Sequence, residues 1–185
     1  MSNTSTIAVL IGSLRKESLS RRIAKAAVAL APQGTLFDFP DIGGLPHYNA
    51  DLETATPPPE WQALREQIKA ATGVLFVTPE YNRSVPGVLK NAIDVGSRPA
   101  GKSIWNGKPC AVISVSPGAL GAFGANHHIR ASFVSLNMPV MQQPEAYIGN
   151  AAGLFDANGA LANDATREFL SKYMQAFSQW VARHA

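Results

Sequence analysis

An α/β sandwich built on a wholly parallel sheet is the architecture this chain predicts, and three observations carry the prediction. Residues 6–11 (T-I-A-V-L-I) and 74–78 (V-L-F-V-T) are apolar on both faces, as strands covered by helices on both sides must be. Each such run leads through a polar turn into a helix-forming segment, so strands and helices alternate along the chain. The turns after the first, third and fourth strands are rich in Gly, Pro, Ser or Asn, the residues that let a chain reverse direction at the edge of a sheet.

The elements follow in order. The first strand covers 6–11 and its helix about 19–31, ended by Pro32 and Gly34. A short second strand runs over 35–39. Residues 40–52, dense in Pro and Gly, form a loop. Pro57, Pro58 and Pro59 introduce a helix over about 60–71, with Trp61, Leu64, Ile68 and Ala71 on one face at helical spacing. The third strand is 74–78, stopped by Pro79. A polar loop follows, and Pro86 opens a helix that continues through Ile93 and Val95. Residues 97–108 are a loop and 109–115 the fourth strand. A helix over about 124–136 comes next, then a short fifth strand at M-P-V-M, 138–141. Residues 142–162 read as mostly irregular, and a last helix covers about 163–183. Its stripe of Phe169, Tyr173, Phe177 and Trp180 reads as core packing. With right-handed crossovers, five strands of this length give a flavodoxin-like three-layer sandwich with strand order 2-1-3-4-5. Ligands of such sheets lie beyond the carboxyl ends of the strands, where loops 12–20, 79–84 and 116–124 converge.

Bulk properties narrow the function. The 185 residues suit one domain, 1–185, of 46% hydrophobic and 16% charged composition. A net charge of +3 with no basic block gives no support to nucleic-acid binding. The one cysteine, Cys110, excludes an internal disulfide and a cysteine-based metal site, and is consistent with a reducing, cytoplasmic location. No apolar run reaches the ~18 residues of a membrane span, and the sequence M-S-N-T-S-T lacks the basic start of a signal peptide. His127 and His128 are adjacent, so on a helix their side chains diverge; no metal site is expected. Asp94 and Arg98 are spaced for a helix salt bridge.

The segment I-G-S-L-R-K-E-S-L-S, 11–20, joins the first strand to the first helix. Free backbone N–H groups and the positive helix end converge there, which is the chemistry of an anion site. Gly12 allows the exit turn; Ser13, Ser18 and Ser20 supply hydroxyls and Arg15 a planar fork of donors. The segment lacks the Gly-Lys-Ser/Thr ending of a Walker A loop and the three glycines of the dinucleotide fingerprint. It suits the terminal phosphate of a mononucleotide, above all FMN. The plainer alternative is a helix cap at Ser18 or Ser20 beside a solvated Arg15. Convergence with loops 79–84 and 116–124 favours the mononucleotide.

Two stretches, G-S-L-R-K-E-S near the start and P-E-Y-N-R-S-V-P-G-V-L-K-N-A-I-D-V in the middle, resemble the NADPH-dependent FMN reductase family. Within it, the bacterial chromate and quinone reductase branch is the match, over about residues 7–149. The resemblance implies non-covalent FMN, with hydride passing from NADPH or NADH to flavin N5 and on to quinones, and promiscuously to chromate, azo dyes or free flavin. It implies that Ser13, Arg15, Ser18 and Ser20 hold the phosphate. Pro79, Glu80, Tyr81 and Asn82 would line the isoalloxazine ring, and Ser116 and Gly118 would approach its pyrimidine edge. No side chain is assigned as a catalytic acid or base, and the side chain of Glu80 is expected to be peripheral to the ring. Family members form dimers that pair into tetramers, with flavin at the subunit boundary, so Tyr48, Asn49 and Asp51 are placed to reach a partner's flavin.

The chain departs from the branch at a polar link between dimers. Gly124 and His127 stand where that branch has Arg and Tyr, while Glu145 is kept. A His127–Glu145 pair between dimers would be a partial replacement, strongest when the imidazole is protonated. Two other function classes fit the same fold. A flavodoxin-like electron carrier binds FMN without oxidising NAD(P)H, but such carriers are usually strongly acidic, unlike this chain. A flavin-free regulatory phosphate binder would purify colourless.

Overall fold

The computed structural model describes residues 5–184. Its sheet has five parallel strands in the order β2-β1-β3-β4-β5. They are β1 (Ser5–Ile11), β2 (Thr35–Asp38), β3 (Gly73–Thr78), β4 (Cys110–Val115) and β5 (Ala146–Ile148). The helices are α1 (Leu19–Ala29), α2 (Pro59–Ala70), α3 (Gly87–Gly96), α4 (Phe123–Ser135) and α5 (Asp164–His184). The flavodoxin-like order expected from the sequence is the order found.

The period of two along each strand sorts its side chains into two cores. Ile7, Val9, Ile11, Leu75, Val77, Ala111 and Ile113 face one way and pack with Ile23 of α1 and Tyr173, Met174 and Phe177 of α5. Ala8, Leu10, Val74, Phe76, Cys110 and Val112 face the other way. They meet Trp61 and Leu64 of α2, Leu89 and Ile93 of α3, and Ile129 and Phe133 of α4. Every residue of β3 and of β4 is buried, which is why those runs carry no polar alternation. The α5 stripe is core, as expected: the Tyr173 hydroxyl donates to Val112 O at 2.8 Å, and burial pushes that phenol's pKa up. Cys110 is a buried strand residue whose thiol is likewise pushed up by burial.

The fifth strand differs from expectation. Residues 138–141 form only one bridge, Val140 to Cys110, although Cys110 N donates to Pro139 O and Met141 N donates to Cys110 O. Pro139 has no N–H to continue a ladder. The chain swings out through residues 142–145 and returns as β5, Ala146–Ile148, paired with Ile113 to Val115. This return falls inside the segment read as irregular. The Asp94–Arg98 salt bridge is also absent: Asp94 pairs with Lys90 at 2.7 Å, and α3 ends at Gly96, before Arg98. The Arg98 guanidinium lies instead 5.9 Å from the Tyr48 ring centroid.

Loop 40–52 is held down by two side chains the sequence did not single out. Asn91 accepts from Tyr48 N at 2.8 Å and donates to Pro46 O at 3.1 Å. Arg65 grips Glu53 with two hydrogen bonds, at 2.9 and 2.7 Å, and donates from Nε and Nη2 to Val95 O.

Candidate functional site

The carboxyl ends of β1, β3 and β4 open on a cavity of about 490 Å³ bordered by Ser13, Arg15, Ser18, Ser20, Pro79, Glu80, Tyr81 and Ser116. Eight of the residues expected from the sequence therefore meet at one place. Asn82 and Gly118 are not on its wall. Asn82 is in the tip of the 81–84 turn, and the Gly118 carbonyl accepts from Ser116 Oγ and from Asn150 N. The wall also includes Glu17, Leu19, Arg22, Val115, Pro117 and Ala152. Arg22 was legible as a second cation one turn into α1. Ala152 comes from a short 3-10 turn (Ala151–Leu154) that no local pattern announces.

The phosphate-like end is built by α1. Ser18 is its N-cap, and its Oγ accepts from Arg21 N at 3.2 Å. Arg22 N donates to Ser18 O. Among the described residues, the amides of Leu19 and Ser20 have no protein acceptor, and they sit where the helix dipole is positive. Ser13, Ser18 and Ser20 are all buried and border the cavity. The helix has no acidic residue in its first turn but carries Arg21 and Arg22 there. Cations at a helix amino end oppose the dipole, an arrangement that makes sense when an anion joins them. Glu17 offsets part of the charge by pairing with Arg22 at 2.7 Å. The capping alternative is thus also correct for Ser18, and the cap leaves its hydroxyl hydrogen free.

Gly12 serves by its size rather than by a left-handed backbone. A Cβ there would lie 3.1 Å from Leu89 Cδ2 and 3.2 Å from both Pro79 Cδ and Thr78 Oγ1. The missing side chain lets β1 and β3 leave the sheet side by side, bringing Ser13 and Pro79 to one cavity.

The opposite wall is Pro79, Glu80 and Tyr81, which lead into the turn Tyr81–Ser84. Tyr81 N donates to Ser84 O at 3.1 Å and Ser84 N to Tyr81 O at 3.0 Å. Its two central residues, Asn82 and Arg83, are left-handed, at φ of 51° and 63°. The Glu80 carboxylate turns away from solvent and accepts from Ala125 N at 3.0 Å.

Beside this turn, His127 Nε2 lies 3.1 Å from the Tyr147 hydroxyl, and Phe123 packs against both rings. The Tyr147 phenol is pushed up to about 12, first by burial and then by its hydrogen bond to Glu145. Tyr147 therefore stands between His127 and Glu145 within one chain. A second cavity of about 230 Å³, among Leu14, Arg21, Phe39 and Asp41, is smaller and does not include the free amides of α1.

A site of buried hydroxyls and free helix amides at the edge of a 2-1-3-4-5 sheet defines a mononucleotide-binding α/β protein. Residues 5–153 match the family described as NADPH-dependent FMN reductase. A quinone reductase of Pseudomonas putida is 58% identical over 181 residues, covering 98% of this chain and 97% of the relative. A 2-hydroxy-1,4-benzoquinone reductase of Burkholderia sp. is 47% identical, with 95% of each chain covered. The solved structure of FerB, a flavoenzyme NAD(P)H:(acceptor) oxidoreductase from Paracoccus denitrificans, superposes with a TM-score of 0.91 at 42% identity, covering 97% of this chain and 98% of that one. The chain belongs to the NADPH-dependent FMN reductase family, as an NAD(P)H-dependent oxidoreductase with FMN as its cofactor. No helix of the described residues is long and apolar enough to cross a membrane.

Proposed function

We propose that this enzyme reduces quinones with NAD(P)H, and that the 490 Å³ cavity holds its FMN. The single observation that carries the placement is the pair of free amides at the start of α1, set among three buried serines at the mouth of that cavity. The residues present fit the cofactor. Ser13, Ser18, Ser20 and Arg15 offer donors to a phosphate. Pro79, Tyr81, Val115 and Pro117 offer apolar surface to a planar ring, and the volume lies in the range of cofactor sites, about 300–1,000 Å³. Bound there, FMN supplies hydride acceptance and donation, chemistry no side chain has.

The chain's own part is position and polarity. Arg15 and Arg22 balance phosphate charge. The 79–84 turn walls one side of the ring position and leaves the other open to small molecules. Ser116 borders the polar edge of that position. The Glu80 side chain is engaged by α4, consistent with chemistry that needs no carboxylate acid or base. Quinone reduction is supported by the names of the relatives at 58% and 47% identity. An open ring position also admits chromate, azo dyes and free flavin. Cytoplasmic location agrees with the lone reduced Cys110. Exposed Tyr81, Leu120 and Phe123 offer apolar surface to self-association, to a dimer and then a tetramer.

An anaerobic spectrum tests the reading. The purified protein should be yellow, NADPH or NADH should bleach it, and added benzoquinone should restore the colour. A flavin that NAD(P)H leaves oxidised would indicate an electron carrier, and a colourless protein that takes up no FMN would remove the cavity assignment.

A further inference from the structure

The turn that walls the cavity is gripped from outside it, by a helix that lacks a cap of its own. The N-cap of α4 is Ala122, which has no side-chain acceptor and is itself left-handed at φ 59°. The first turn of α4 contains no acidic residue. Its Ala125 amide is instead satisfied by Glu80, 45 residues earlier in the chain, at 3.0 Å. Glu80 thus does for α4 what an N-cap residue does, but from the loop that faces the flavin position.

Three further observations bear on how the turn is held. Arg83 holds a left-handed backbone at φ 63° beside Asn82 at 51°, a conformation ordinary for asparagine but costly for arginine. A second tether lies one turn along α4, where His128 Nδ1 meets Ser84 Oγ at 2.9 Å. Just before the first tether on α4, Gly124 leaves room for the loop. A Cβ on it would stand 2.8 Å from Arg83 O and 2.8 Å from Glu80 Oε2. The first of these is backbone and cannot swing aside.

We propose that Glu80 is a positioning residue for the turn beside the flavin position, acting through the Ala125 amide, and that in this chain the grip occupies the space Gly124 leaves open. The grip lets loop and helix move only together. It also keeps a carboxylate that borders the cavity turned into a helix end. The effect on FMN rests on the placement of the cofactor in this cavity; the grip itself does not.

The test uses two readouts on the apoprotein: amide hydrogen exchange of residues 81–84, and FMN affinity by fluorescence titration. For Glu80→Ala, exchange should accelerate and FMN should weaken, each by about 10-fold, the usual scale of a lost cap. Exchange in β1 and β4 should stay as in the native chain. Glu80→Gln keeps an oxygen that accepts from Ala125 and should lie within about threefold of native on both readouts. Gly124→Ala should resemble Glu80→Ala, and it tests the grip independently if Glu80→Ala does not fold. Native exchange rates in either alanine variant would overturn the proposal. So would a glutamine variant as impaired as the alanine one, because charge rather than the cap would then be at work. If native apoprotein takes up no FMN, the cavity assignment fails, while the exchange data still decide the grip.

Discussion

Arg65→Met should be strongly destabilising, because it breaks the most enclosed ion pair among the described residues. The side chains of Arg65 and Glu53 are only 10% and 14% exposed. The guanidinium makes two hydrogen bonds to the carboxylate and two to Val95 O, and stacks over Trp61 at 5.6 Å. Removing one partner of a buried pair typically costs about 3–5 kcal/mol, because the other charge is left without compensation. Methionine restores part of the lost packing, about 1 kcal/mol, leaving a net loss of about 2–4 kcal/mol. For a domain of this size that corresponds to roughly 4–16 °C in Tm. The assay is thermal unfolding of the apoprotein by circular dichroism at one protein concentration, since bound FMN or self-association would shift Tm by mass action. Arg65→Met with Glu53→Gln strands no charge and should recover at least half of the loss. A single variant within about 2 °C of native, or a double variant no better than the single, would refute the reasoning.

The other predictions concern the site and its surroundings. Arg15→Ala should remove a charge-assisted contact of roughly 1.5–3 kcal/mol, weakening FMN by about one to two decades; an unchanged dissociation constant refutes the phosphate assignment. One open side of the ring position must serve both donor and acceptor, so double-reciprocal plots at several quinone concentrations should be parallel, and intersecting lines would count against a shared site. The Tyr147 phenol is held at about 12 in the folded chain, against ~10 for free tyrosine. A raised acid pKa means the folded state binds the proton more tightly. Its contribution is therefore complete below pH ~10 and lost as pH rises through that folded value. Tyr147→Phe should flatten the alkaline limb of the Tm profile, and an unaltered limb would refute this.

Strand alternation and the serine-rich loop were legible because both are local. The doubly apolar runs at β1, β3 and β4 require helices on both faces, and Ser18 before a helix-forming run is a cap whatever surrounds it. The fifth strand was misplaced because M-P-V-M and E-A-Y-I are both short apolar runs at a sheet edge. Only the register with β4 shows that residues 146–148 continue the ladder while Pro139 interrupts it. Asp94 offered two basic partners one turn away. The end of α3 at Gly96 decided for Lys90 over Arg98.

By itself, the sequence determined the layer architecture, the strand order and the three loops that converge beyond the strands. Period and turn chemistry act between near neighbours, and parallel connections leave few ways to arrange the rest. Tertiary structure alone decided what long-range contact creates. It placed Ala152 on the cavity wall, buried the Arg65–Glu53 pair and joined Tyr147 to His127. It also turned the Glu80 carboxylate into α4, across a gap that exists because Gly124 has no side chain. A carboxylate in a P-E-Y-N loop and a glycine 44 positions later share no local pattern. Their relation exists only where packing brings a helix end within hydrogen-bonding distance of the loop.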